Sequence, residues 1–187
     1  MSYRYSAGVW IAVGIFWLAA ALKSKPVTRR QTVWARVSHI SIMCVGFALV
    51  FGGPLLVGPL SWRALPDWPA LGWAGFALTI TGLAFTVWAR FVLGGNWSGT
   101  VTIKQDHELV RRGPYAVVRH PIYTGALLAL LGTAMALGEV RGFVGLVVVF
   151  IGWRGKSWKE EAFMRDQFGE QYTQYEREVK GLIPFIY

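Results

Sequence analysis

Five apolar runs, divided by connections that carry most of the positive charge, constrain this chain more than any other feature. They lie at about 8 to 22, 39 to 60, 70 to 93, 122 to 138 and 142 to 157. A helix needs about 20 apolar residues to cross the hydrocarbon of a bilayer, and the last two runs sit near or below that length. With 54% hydrophobic residues, ten tryptophans and a mean hydropathy of +0.40, the chain is too apolar for an ordinary soluble domain. The pattern predicts an all-α integral membrane protein of about five transmembrane helices. The short fourth and fifth runs, separated by only three residues, are expected to form a tight hairpin.

The run at 9 to 22 also has the length of a signal-peptide core, with Ala19 and Ala21 as a small-x-small pair. A first span is preferred, because cleavage there would leave a strongly basic start. Lysine and arginine placement then orients the rest, since positive loops stay in the cytoplasm. Fifteen basic residues fall in the connections after spans one, three and five, against Arg4, Arg63 and Arg141 on the other side, with Arg90 at a span end where it can snorkel. The N-terminus is therefore expected outside and the C-terminus inside. Glycine and proline at 52–54 and 58–59 should kink or end the second span, and Trp62, Trp68 and Trp73 mark the outer interface. Gly125 and Gly132 are seven residues apart, as are Gly145 and Gly152, so each pair shares a helix face and permits close approach. Beyond Trp158 the chain turns polar, and Phe168, Tyr172, Tyr175 and Val179 recur at helical spacing, which predicts a cytoplasmic C-terminal helix. The closing GLIPFIY reads as an interfacial anchor.

Several function classes lose support. The formal charge of +9 forms no continuous basic face, so no nucleic-acid partner is expected. No carboxylate lies inside the five runs, which disfavours a proton-coupled transporter. Three scattered histidines and the single Cys44 offer no metal-ligand spacing, so no metal is expected, and His39 reads as an interfacial residue. Neither a dinucleotide fingerprint nor a phosphate loop is present. Polar functionality concentrates in 94–123 and 154–180, and a hairpin of the last two spans would bring HELVRRGPYAVVRHPIY (107–123) beside RGKSWKEEAF (154–163).

Those two segments, with the tail FGEQYTQYEREVKGLIPFI, resemble the isoprenylcysteine carboxyl methyltransferase family, which shares its C-terminal pattern with phospholipid methyltransferases. The resemblance covers about residues 94 to 187 and rests on H-x-L-V, G-P-Y, R-H-P-x-Y, E-E and F-G-x-x-Y in order. It implies a membrane-embedded enzyme that uses S-adenosylmethionine without a Rossmann domain. On that basis 1–187 is read as one membrane domain, with spans one and two in 1–69 and the third span plus a cofactor-binding, methyltransferase-like region in 70–187.

Carried over to this sequence, the resemblance implies cofactor contacts at His107, Glu108, Leu109, Val110, Tyr115, Arg119, His120, Pro121, Ile122, Tyr123 and Glu160. It implies a substrate-carboxylate site at Lys156, where the family's eukaryotic members have arginine, with Arg154 two residues earlier as a possible substitute. Lysine offers a point charge in place of the bidentate arginine fork, which leaves the acceptor open. Methyl transfer is an in-line displacement that mainly needs positioning and desolvation. A carboxylate acceptor needs no base, whereas an amine or neutral thiol needs a proton acceptor, for which Glu161 is the candidate. The expected partners are a lipophilic small molecule or prenylated cysteine and the membrane lipids, with the cofactor site on the cytoplasmic side. Two other readings stay open: a sterol-type reductase using NADPH, against which the chain offers no basic cluster for a ribose 2′-phosphate beyond Arg111 and Arg112, and a scaffold or small transporter without catalysis.

Overall fold

The computed structural model describes residues 1–22, 27–30, 32–53, 58–97, 102–104 and 108–186, the segments 27–30 and 102–104 by backbone alone. Six α-helices dominate it: α1 (Ser2–Ala21), α2 (Val33–Phe51), α3 (Pro69–Leu93), α4 (Pro121–Leu137), α5 (Val140–Phe168) and α6 (Glu170–Glu178). Among the described residues three helices are long and apolar enough to cross a membrane, those starting at Ser2, Val33 and Pro69; α4, at 17 residues, is shorter. Two strands absent from the sequence expectation, β1 (Val27–Arg30) and β2 (Thr102–Lys104), pair antiparallel with Val27 opposite Lys104 and tie the α1–α2 connection to the one after α3.

Helix ends follow local chemistry. The Thr32 hydroxyl accepts from the Ala35 amide at 3.4 Å to cap α2, and prolines open α3 and α4, where a missing N–H costs nothing. The second span stops at Phe51, so the glycines at 52 and 53 end it and do not merely bend it. Gly138, left-handed at φ 70°, closes α4, and Gly169 at φ 55° breaks the C-terminal stripe into the end of α5 and the start of α6.

The glycine spacing does bring backbones together, but between different helices from those the hairpin expectation suggests. α4 packs antiparallel on α3: a methyl at Gly82 would lie 2.5 Å from the Gly125 carbonyl oxygen, and one at Gly75 2.5 Å from that of Gly132. α5 packs on α2 in the same way, with a methyl at Gly145 falling 2.7 Å from the Gly46 carbonyl oxygen. Only glycine tolerates such contacts. The α4–α5 hairpin itself, linked by Gly138 and Glu139, is held by side chains, including Trp153 stacked on Tyr123 at 5.4 Å between centroids. Val50, Leu130 and Val149, fully buried, form the core where α2, α4 and α5 meet.

The bundle has two unlike ends. At one, Arg141 donates to Glu139 at 2.6 Å and to the carbonyls of Leu49 and Val50, both at 3.3 Å. Tyr3 donates to the same Val50 oxygen, and exposed Trp62, Trp68 and Trp73 ring this end. The other end holds the N-terminus of α4 and the polar half of α5. Arg90 does not snorkel there: it is 4% exposed, donating to the carbonyls of Gly94 (2.6 Å) and Ala20 (2.8 Å), with its guanidinium 4.8 Å from the Trp97 ring. The main-chain carbonyls at the ends of α1 and α3 hold it inside.

Candidate functional site

The N-terminus of α4 and the second half of α5 meet around one carboxylate. Glu160 Oε1 accepts from the Tyr123 hydroxyl at 2.7 Å and lies 3.7 Å from Lys156 Nζ; Oε2 lies 3.5 Å from His120 Nδ1. His120 uses its other nitrogen on Glu161 Oε1 at 3.0 Å, an oxygen that also accepts from Arg119 at 2.7 and 3.1 Å. One imidazole thus faces two carboxylates, and because ionised carboxylates only accept, this surrounding favours a ring protonated on both nitrogens. Burial opposes the imidazolium, but the hydrogen bonds and charges of Glu160 and Glu161 outweigh it and raise the His120 pKa. Burial likewise opposes ionisation of Glu160, and Lys156 and His120 overcome it, holding that carboxyl below its usual range. For Glu161, His120 and Arg119 overcome desolvation and bring the pKa to about 2.

Backbone pairing positions this cluster. The amides of Arg119 and His120 donate to the carbonyls of Lys180 and Gly181 at 2.8 and 3.1 Å, and the Thr124 hydroxyl donates to Leu182 at 2.7 Å. The tail expected to be only an interfacial anchor is therefore clamped under α4, with Leu182 2% exposed, while Phe185 and Ile186 stay exposed. The G-P-Y turn packs Pro114 and Tyr115 inside; the Tyr115 carbonyl accepts from the Tyr175 hydroxyl at 2.5 Å, fixing α6 on the loop. Arg111 pairs with Glu178 and lies over the Tyr175 ring.

Beside Glu160 opens a cavity of about 570 Å³, within the range of roughly 300 to 1,000 Å³ seen for small-molecule sites. Of the candidates, Glu108, Leu109, Val110 and Tyr115 line it from the loop, Arg119, His120, Ile122 and Tyr123 from the start of α4, and Lys156 and Glu160 from α5. His107 lies outside the described residues. Pro121 is buried at the first position of α4 and does not face the cavity.

Arg154 and Glu161 do not face it either. Trp153, Lys156, Glu160, Phe163 and Met164 make up the cavity stripe of α5; Arg154, Ser157 and Glu161 fall one residue further round, about 100° away on a helix. They line a separate pocket of about 210 Å³. The Arg154 guanidinium sits 3.9 Å from the Trp158 ring centroid, and Glu161 is engaged by Arg119 and His120. Neither is among the residues lining the main cavity, so the structure does not bring Arg154 and Glu161 together with Lys156 at the place where the resemblance puts the acceptor.

Sequence reasoning missed the opposite wall. Trp10 and Trp17 of α1, and His39, Met43 and Phe47 of α2, line the cavity, so His39, read as interfacial, faces the site. These positions belong to no motif, and only the tertiary packing of α1 and α2 across α4 and α5 brings them there. Asn96 was also missed. It lines the cavity, is 8% exposed, and its Oδ1 has no hydrogen-bond partner among the described residues. Such an oxygen costs about 1 to 3 kcal/mol and calls for an explanation.

Fold and cavity together describe a helical membrane protein whose pocket is ionic at one end and aromatic along the spans. Within that class the chain belongs to the phospholipid methyltransferase family, whose model matches residues 71–171. A rice protein (Oryza sativa subsp. indica) named probable protein-S-isoprenylcysteine O-methyltransferase is 27% identical over 155 residues, 80% of this chain and 78% of the relative. The protein-S-isoprenylcysteine O-methyltransferase of Rattus norvegicus is 32% identical over 128 residues, 67% of this chain and 45% of the relative. That of Schizosaccharomyces pombe is 40% identical over 99 residues, 50% of this chain and 41% of the relative. The chain thus spans less than half the length of the rat and yeast proteins. Among solved structures, the eukaryotic intramembrane Ras methyltransferase, isoprenylcysteine carboxyl methyltransferase, superposes with a TM-score of 0.55 at 24% identity, covering 85% of this chain and 55% of that one; this likeness speaks to the fold.

Proposed function

We propose that this chain is a methyltransferase that uses S-adenosylmethionine to methylate a lipophilic acceptor of the isoprenylcysteine-carboxylate kind. The observation that carries the reading is the single cavity between Glu160 and the aromatic faces of α1 and α2, which offers an ionic end to a polar cofactor and an apolar length to a lipid-like substrate. The names of the rice, rat and yeast relatives support the same acceptor class.

The residues present fit the cofactor. A molecule with hydroxyls, an amino group and a sulfonium needs acceptors in a confined space, and the cavity supplies the Glu160 carboxylate and the unpartnered Asn96 oxygen. Glu108, Leu109, Val110, Tyr115, Arg119, His120, Ile122 and Tyr123 would hold it together with Glu160. When bound, the cofactor supplies an electrophilic methyl carbon.

The chain's own residues do the rest. Tyr123, His120 and Lys156 keep Glu160 ionised and aimed, while the aromatic walls exclude water and raise the strength of every charge interaction inside. Lys156, 8% exposed, is the cation available to orient an acceptor carboxylate, as a point charge without the bidentate fork of arginine. A carboxylate acceptor gives up no proton, so the reaction needs no base from Glu161. In the membrane we assign five spans, including α4 and the first half of α5, with the N-terminus outside and the cavity end cytoplasmic, following the basic connections. The membrane domain runs over the whole of 1–187, and its last helix, α6, lies on the cytoplasmic side.

Calorimetric titration of the purified protein with S-adenosylhomocysteine, with NADPH in parallel, tests the class. Micromolar binding of the former alone, about −8 kcal/mol, is expected. Binding of NADPH alone would move the chain to a reductase, and binding of neither would leave the cavity without this cofactor.

A further inference from the structure

Among the described residues, the Oδ1 of Asn96 is the one buried side-chain polar atom on the cavity wall without a hydrogen-bond partner. Its place is fixed by the chain around it. Asn96 ends the short turn Gly94–Asn96 that follows α3. Arg90 holds that turn, donating to the Gly94 carbonyl at 2.6 Å while its other nitrogen reaches the Ala20 carbonyl at 2.8 Å. An acceptor that is buried, positioned and unused is a group prepared for the N–H of a ligand.

The surroundings say which N–H. Trp97, the next residue, and Trp17 of α1 both line the cavity. Their rings stand at 87° with centroids 5.7 Å apart and form an aromatic corner. The ionic contacts of the cavity belong to other residues, with Glu160 bonded to Tyr123 and close to Lys156 and His120. An ammonium group would go to the Glu160 carboxylate, and a lipid-like arm has no N–H to give. A neutral amide beside two indoles suits a ligand portion that is flat, apolar on its faces and polar on its edge. A purine with an exocyclic amine has all three properties. Its faces pack on aromatic rings, and an asparagine amide can accept from the amine and donate to the neighbouring ring nitrogen in one bidentate contact.

We propose that Asn96 reads the adenine of the cofactor, its Oδ1 accepting from the exocyclic amino group while the base lies against the Trp17–Trp97 corner. The assignment rests on the cofactor reading above only as far as adenine, which S-adenosylhomocysteine and NADPH share. Titration of the full chain in detergent compares S-adenosylhomocysteine with S-inosylhomocysteine, in which a carbonyl oxygen replaces the amine; NADPH and its hypoxanthine analogue form a parallel pair. Wild type is expected to bind the adenine form about thirtyfold more tightly, and Asn96→Leu to bind the two forms within about threefold of each other. A merely structural amide would not move this ratio, because lost stability weakens both forms alike. Asn96→Asp, which keeps the shape but presents no donor, is expected to lose the preference as well and serves if Asn96→Leu does not fold. Equal binding of the two bases by wild type, or the same preference in wild type and variant, would overturn the assignment and leave the methyltransferase reading intact. Binding of the NADPH pair alone, with a preference that depends on Asn96, would keep the assignment and remove that reading; binding of neither pair would remove both.

Discussion

The two ends of this bundle use the same ingredients and do opposite things with them. At the closed end Arg141, Glu139 and two main-chain carbonyls satisfy one another. At the cavity end Arg119, His120 and Glu161 make a comparable knot, but a second carboxylate, Glu160, is attached to it and faces open space. What separates a structural ion cluster from a candidate site here is not burial or charge but one additional acceptor, one helical position away, with a void beside it. The inner knot braces the outer carboxylate.

That contrast makes graded predictions. The largest effect is expected from Glu161→Ala, which removes the buried carboxylate that Arg119 and His120 share and should cost about 3 to 5 kcal/mol of stability, read as a lower thermal midpoint in detergent; an unchanged midpoint would mean that the knot carries no structural role. Acid should do nearly the same to the wild type. Glu161 has a folded-state pKa of about 2 against the ordinary 4.5, so its contribution is complete above pH 4.5 and lost as pH falls towards 2, a difference of about 3 kcal/mol. A Glu161→Gln variant should show a flatter midpoint profile across that window. His120 works in the reverse sense. Its raised pKa stabilises the fold fully below pH 6.5 and progressively less as pH rises through the elevated value.

The smallest effect separates the ends most cleanly. Glu160→Gln keeps the shape of the side chain but removes its charge, and should weaken S-adenosylhomocysteine binding about tenfold, in line with the roughly 1.5 to 3 kcal/mol of a charged hydrogen bond. Glu139→Gln at the closed end should leave that titration unchanged. Equal losses at both ends would show that the difference between them is not functional.

Much of this arrangement was legible in the sequence. The apolar runs gave the long helices, the glycine pairs gave close contacts, and HELVRRGPYAVVRHPIY beside KEE gave the two walls that meet at Glu160, because helical spacing and turn chemistry are local. The partners of those glycines were not legible: Gly125 and Gly132 face α3 while Gly145 and Gly152 face α2, a choice made by tertiary packing. Glu160 and Glu161 looked alike as neighbours in the chain, although the turn of a helix sends one to the cavity and the other to the knot. Trp10, Trp17 and His39 were beyond reach for a different reason, since they line the site from helices that carry no motif and only tertiary packing brings them to it.

The glycine contacts also have a mechanical meaning. They hold α3 to α4 backbone against backbone, whereas between α2 and α5 the Gly145–Gly46 approach is joined by side chains of Val50 and Val149. The buried cluster of Val50, Leu130 and Val149 then joins the two helix pairs into one unit. By contrast α1, which supplies Trp10 and Trp17 to the cavity wall, has nothing within 4 Å of a methyl at Gly8 or Gly14, so that wall of the cavity is fastened by larger side chains rather than by close helix approach.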